Sequence, residues 1–282
     1  MSLKTKRSHT RPRRTGRRLS RTLRRPARPV PEAPAPVNHS EPWVSVIIPA
    51  MNEARTIARA ISGARGVHPR CEVIVIANGS ADGTEDIARL CGARVVSYPE
   101  PLGHDVGRSI GAEIAKGEIL LFTDGDLALT AAQLRPFVTA VSEGVDVALN
   151  DYSGPVYRSR PHPVVVSKHV LNILLQRPDL KGCSMTAVPH ALSRRALEVL
   201  GSSLLSKPPL AHANAVIEGL QVKPVHLVPV GKINAVRRKR EGMDPLQKLV
   251  IDDHLEAVAL LHQRRGTRAG FTDGIRRREM VR

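Results

Sequence analysis

Residues 117–127 read Gly-Glu-Ile-Leu-Leu-Phe-Thr-Asp-Gly-Asp-Leu. Four apolar residues in a row, Ile119 through Phe122, leave no polar alternation. A strand here is therefore covered on both faces, as strands of parallel sheets are. It stops at Thr123-Asp124-Gly125-Asp126, residues that favour a turn. Similar short runs rich in β-branched residues recur at 44–48, 72–76, 94–97 and 145–149, and segments of helical period lie between them at 54–62, 82–90, 106–115 and 131–143. The last helix follows Thr130-Ala-Ala-Gln133, a capping-box spacing that satisfies free amides at a helix start. Alternating strands and helices predict an α/β fold: an open, mostly parallel, Rossmann-like sheet with right-handed crossovers and helices on both faces.

Beyond residue 150 the pattern loosens. Helices are expected at 164–176, 193–200 and 211–218, and a strand at 225–230. A last helix opens on Asp244-Pro245, an N-cap residue followed by proline in the first turn, and runs to about residue 263.

The formal charge of +17 over 282 residues is concentrated at the ends. Residues 1–42 carry twelve Lys or Arg against Glu32 and Glu41, and residues 262–282 carry seven Arg against Asp273 and Glu279. The remainder is close to neutral. Residues 1–42, crowded with Arg and Pro, lack the apolar content to offset ordering entropy and are expected to be a disordered tail. Such a tail serves as a solubilising segment or as an electrostatic tether to anionic lipid headgroups or nucleic acid. Nucleic acid is a poor partner for the folded part, because aromatics make up 2% of the chain and stacking platforms need them. Cys71, Cys91 and Cys183 show no metal-ligand or disulfide spacing, which points to a reducing cytoplasm. No apolar stretch is long enough to span a bilayer, and no secretory signal is present. An Arg-rich, acid-poor start also fits a transit peptide, although the Arg-Pro pairs interrupt the amphipathic helix such a peptide needs.

In an open parallel sheet, ligands bind outside the carboxyl ends of the strands. Here those ends read Pro49-Ala-Met-Asn-Glu53, Ala77-Asn-Gly-Ser-Ala-Asp-Gly-Thr84 and Thr123-Asp-Gly-Asp126. Two carboxylates one residue apart in a turn suit a hard cation such as Mg²⁺ or Mn²⁺, which takes oxygen ligands and shares its shell with water and phosphate. The plain alternative is a solvated β-turn. Gly103-His104-Asp105 is a further candidate for a pocket wall.

Three segments in order carry a resemblance: VSVIIPAMNEARTI, VIVIANGSADGT and GRSIGAEIAKGEILLFTDGDL. Together they resemble the family 2 glycosyltransferases, whose catalytic domain has the GT-A, nucleotide-diphospho-sugar transferase fold. The resemblance covers about residues 43–150 and continues faintly to 230. It implies a domain over 43–235, with a nucleotide-sugar half (43–150) and an acceptor half (151–235), followed by a C-terminal helix and basic tail (236–282). It implies transfer of a sugar from a nucleotide-diphosphate donor to an unknown acceptor. Asp126 would be the main metal ligand and Asp124 would touch ribose or metal. Pro49, Glu53, Asn78, Gly79, Ser80, Asp82 and Arg108 would lie around the nucleotide.

Two departures stand out. The family's usual Asp at the end of the second strand is replaced by Ala77, followed by Asn78, so a uridine preference does not carry over. The stretch 206–215, where inverting members place a carboxylate base, contains no Asp or Glu. His212 is the proton acceptor expected there; Asp151, Asp252 and Asp253 are further candidates, and a retaining mechanism needs none. A nucleotidyltransferase of similar fold and a non-catalytic module binding anionic polymers through its Arg-rich tails remain as alternatives.

Overall fold

The computed structural model describes residues 37–156, 159–233 and 245–272. The elements run β1 Val44–Ala50, α1 Ile57–Arg65, β2 Cys71–Asn78, α2 Thr84–Leu90, β3 Arg94–Tyr98, α3 Val106–Ile114, β4 Ile119–Phe122, α4 Ala131–Ser142 and β5 Val147–Asn150. They continue with α5 Pro163–Leu174, β6 His190–Ser193, α6 Arg194–Leu200, α7 Pro208–Ile217, β7 Val222–His226, α8 Val230–Ile233 and α9 Pro245–Arg265. Seven strands form one sheet in the order β3-β2-β1-β4-β6-β5-β7. β6 runs antiparallel to β4 and β5, and the other pairings are parallel.

Continuous apolar strands have a direct explanation here. Alternate side chains of β1, β2 and β4 enter two separate cores. Ile47, Ile74, Ile76, Leu120 and Phe122 face the layer that includes α5, α7 and α9. Val46, Ile48, Val73, Val75 and Leu121 face α1 and α4. With both faces covered, the strands are apolar except near their ends, where buried Ser45 donates to Glu72 and Asn78 bonds the loop after β3. The capping box at Thr130 forms as expected, with the Thr130 side chain accepting from the Gln133 amide and the Gln133 side chain accepting from the Thr130 amide.

Three expectations are revised. HALS, with polar ends and no β-branched residue, carries no strand signal; its slot between β4 and β5 makes it β6. β7 begins at Val222 rather than 225, because Pro224 reads as a boundary, yet an edge strand tolerates proline. Ordered structure also begins ahead of Trp43: the Asn38 side chain both donates to and accepts from the Val73 backbone. The expected disorder over residues 1–36, the Asp244 cap, the boundary at 235/236 and the terminal segment 273–282 lie outside the described residues.

Candidate functional site

A cleft of about 430 Å³ opens at the carboxyl ends of β1, β2 and β4. Its walls include Pro49, Glu53, Asn78, Arg108, Asp124 and Asp126, joined by Met51, Pro101, Gly103 and His104. Six of the nine residues expected around donor and metal thus meet in one place, together with Gly103 and His104 of the candidate pocket wall. The Asp-Gly-Asp turn reaches it by extending the β1–β4 ladder: the Thr123 amide donates to the Ile47 carbonyl and the Gly125 amide to the Pro49 carbonyl at 3.0 Å. A Cβ on Gly125 would come within 2.9 Å of the Ala50 Cβ, so glycine lets the turn lie flat against β1. Buried Leu127 and Leu129 anchor it from behind.

Arg108 enters from α3, which lies close on the sheet because Gly107 and Gly111 face it. A Cβ at Gly111 would fall 2.3 Å from the Ile47 side chain. The Arg108 guanidinium is buried between two carboxylates, 2.7 Å from Asp105 and 3.2 Å from Asp124. Burial works against its charge, and Asp105 and Asp124 more than offset this, leaving its pKa above the ordinary value. The i,i+3 spacing of Asp105 and Arg108 was the available sequence signal for this pair.

Gly79, Ser80 and Asp82 do not line the cleft. Four hydrogen bonds clasp the loop after β2 to the Asn-Glu turn after β1. The Asn52 amide donates to Ser80 Oγ, the Ala81 amide to Asn52 Oδ1, the Glu53 amide to Thr84 Oγ1 and the Ala54 amide to Asp82 Oδ2, all within 2.8–3.1 Å. Hydrogen bonds from the Thr84 side chain and the Ala54 amide hold the Asp82 carboxyl below its usual range. Ser80 and Asp82 therefore shape the cleft by fixing Glu53. Gly79, at φ +71°, packs against Pro101. Asn78 lines the cleft while its amide bridges the loop after β3, accepting from the Leu102 amide at 2.7 Å and donating to the Gly103 carbonyl at 2.9 Å. Ala77 is buried.

His212 is placed differently from its expected role as proton acceptor. It is fully buried in α7, with Nε2 2.7 Å from the Asn172 side-chain oxygen, and it is not among the cleft's lining residues. Burial, and then the neighbouring His254, push its pKa down to about 3. A side chain this enclosed and this weakly basic serves the core. Among the other candidates, Asp151 is exposed beyond β5 and accepts from the Cys183 thiol, Asp252 pairs with Lys248 at 2.6 Å, and Asp253 is buried on α9. Burial and then Glu256 raise the Asp253 carboxyl to about 6. His190, the cross-strand partner of Phe122 on β6, stacks on the Phe122 ring just before the turn.

Carboxylates predominate among the charged residues described at the cleft. Among the described residues, the carboxylates Glu53, Asp124 and Asp126 line it with Asp105 adjacent, and Arg108 contributes a guanidinium. Among the described residues no three His, Cys, Asp or Glu converge as a complete metal cage. Two carboxylates of one turn suit a hard cation that completes its coordination with water and phosphate.

Comparisons with known proteins agree with this architecture. The chain is similar to glycosyltransferase AglE of Haloferax volcanii, 36% identical over 115 residues, which are 38% of this chain and 38% of that protein. It is similar to glucosyl-3-phosphoglycerate synthase of Mycobacterium tuberculosis, 32% identical over 127 residues, 40% of this chain and 39% of that one. The matches thus span under half the length of these relatives. A crystal structure of the mycobacterial synthase with Mn²⁺, uridine diphosphate and glucosyl-3-phosphoglycerate superposes with a TM-score of 0.56 at 23% identity, covering 83% of this chain and 82% of that one. The likeness shows a shared GT-A fold. The sequence pattern of Glycosyl transferase family 2 matches residues 45–199, more than half of the chain, and the chain belongs to that family.

Proposed function

We propose that the protein transfers a sugar from a nucleotide-diphosphate donor to an acceptor hydroxyl, with a divalent cation at the Asp124-Gly125-Asp126 turn. The observation that carries this reading is the seating of that turn in a carboxylate-rich cleft at the strand ends, where open α/β sheets take their ligands. Asp126, helped by Asp124, holds Mg²⁺ or Mn²⁺, as supported by the mycobacterial structures with Mn²⁺ or Mg²⁺ and uridine diphosphate. The cation, when bound, neutralises charge that builds on the departing diphosphate. Arg108 orients Asp124 and adds positive potential at the cleft floor. Glu53, positioned by Thr84 and Asp82, closes one side; the loop at 101–104, braced by Asn78, closes the other.

The base-recognition wall lacks an aspartate at Ala77, so the reading commits to a nucleoside diphosphate and to no base. We further propose a cytoplasmic setting with Arg-rich termini that touch anionic lipid headgroups. No helix among the described residues is long and apolar enough to cross a membrane.

A thermal-shift screen of nucleoside diphosphates with and without Mn²⁺ tests the site. At least one nucleotide raises the melting temperature in a Mn²⁺-dependent way, and Asp126→Asn removes the increment. If no nucleotide stabilises the native chain, or if Asp126→Asn retains the full effect, the assignment fails.

A further inference from the structure

Helix α5 presents an apolar stripe outward as well as inward. At 100° per residue, Val166, Val170 and Ile173 form one stripe, and all three face solvent, with exposures of 44%, 46% and 54%. The opposite side, which faces the core, carries Lys168 and Asn172, both buried, beside Leu171. A surface helix ordinarily places charged residues outward and apolar ones inward. The inward polar groups are engaged. Asn172 donates to the Lys181 and Cys183 carbonyls at 2.9 Å and meets His212, while Lys168 donates to the Tyr152 carbonyl. The orientation of the helix is thus fixed from inside, and its aliphatic face is left to whatever lies outside.

Charge identifies the occupant. Arg160 is exposed just ahead of the helix. At its other end the last turn of α9 arrives: the Arg265 guanidinium donates to the Leu175 carbonyl and the Gln176 side chain donates to the Ala269 carbonyl. This brings Arg265 and the neighbouring Arg268 to the end of the stripe, followed by Phe271, itself 46% exposed. Of the acids near this end, Asp179 pairs with Arg177 and Glu218 with Arg264. An aliphatic stripe with arginines at both ends suits the boundary of an anionic bilayer, where apolar side chains enter the acyl region and guanidinium groups meet headgroups. A second copy of this chain is a poorer fit, because pairing stripe on stripe would set the arginines at its ends against one another.

We propose that α5, together with the end of α9, is a docking face for an anionic lipid surface, with Val166, Val170 and Ile173 as the inserting residues. This does not depend on the donor assignment, and it assigns the apolar part of membrane contact to the folded domain.

The test is co-sedimentation of the full chain with phosphatidylcholine vesicles, with and without phosphatidylglycerol, at low and high salt. The chain binds the anionic vesicles and keeps part of that binding at high salt, where purely electrostatic attachment is screened. The V166Q/V170Q/I173Q variant, shown by its melting curve to be folded, binds at least tenfold more weakly and loses the salt-resistant part. Unchanged binding by the variant means that the tails alone attach the protein, and overturns the proposal. So does a concentration-dependent dimer that the variant abolishes. Val170→Trp gives an independent readout: its emission shifts to shorter wavelength on addition of anionic vesicles, and no shift beyond that of native Trp43 overturns the proposal as well.

Discussion

Arg108 carries the sharpest residue-level consequence. It lies buried between Asp105 and Asp124, so removing it leaves two carboxylates facing each other without a cation. Breaking a buried pair on one side ordinarily costs about 3–5 kcal/mol. Arg108→Met should lower stability in urea by about 3 kcal/mol, and adding Asp105→Asn should restore part of it. Additive losses in the double variant would show that the pair is not coupled. Lys168 gives the opposite sign. Burial lowers its pKa from 10.5 to about 8, so between those values the unfolded chain holds more protons and stability rises with pH. Below pH 8 the full penalty of a buried ammonium is present, about 3 kcal/mol. Lys168→Met should therefore stabilise the chain at pH 7, by about 2 kcal/mol once the lost contact with Tyr152 is counted, and should flatten the rise between pH 8 and 10.5. A variant less stable than the native chain at pH 7 would refute this reading. The candidate carboxylates of the site were legible at this scale, because Asp-Gly-Asp after an apolar run is a local signal. The fate of His212 was not, because burial depends on what α7 packs against.

At the scale of elements, α3 depends on its glycines. Gly107 and Gly111 lie one turn apart and let the helix approach β1 closely enough for Arg108 to reach the cleft. Gly111→Ala places a Cβ against the fully buried Ile47 side chain, and overpacking of this kind costs about 1–3 kcal/mol. The expected result is a lower melting temperature together with weaker nucleotide stabilisation, since a displaced α3 moves Arg108. A variant that loses stability but binds nucleotide as before would separate the packing role from the positioning one. The Gly-Ser-x-Asp-Gly-Thr loop teaches a related lesson. Its residues were expected around the nucleotide, but Ser80 and Asp82 meet the backbone of residues 52–54. Sequence placed the two loops at the same sheet edge. Which side chains turn toward a ligand and which toward the neighbouring loop was settled only when the loops met.

For the whole molecule, the buried histidines predict acid sensitivity. His190 and His212 both have pKa values pushed down to about 3, chiefly by burial, against 6.5 in the open chain. Between those values the unfolded state binds the extra protons, so stability falls as pH drops below 6.5, by up to about 1.4 kcal/mol per pH unit for each histidine. Asp253 acts the other way, since its carboxyl is raised from 3.8 to about 6 and favours the folded state as pH falls through that window. Two groups outweigh one, and urea midpoints should decline from pH 6.5 toward 4; a flat profile would show that these histidines are more solvated than the packing implies.

The sequence by itself determined the sheet, its order of strands and helices through residue 150, and the edge at which polar residues gather. Those features rest on local apolar continuity, period and turn chemistry, which a chain displays before it folds. Tertiary structure alone decided the antiparallel insertion of β6, the burial of His212, the clasp between two loops and the outward apolar stripe of α5. Each depends on which surface a neighbouring element covers, and four residues such as HALS or a helix such as PVVVSKHVLNIL contain no statement of that. The Asp124-Gly125-Asp126 turn belongs to both. Its chemistry is written in three letters, and its seat against β1, with Arg108 beside it, exists only because Gly125 and Gly111 let two elements close on the same strand.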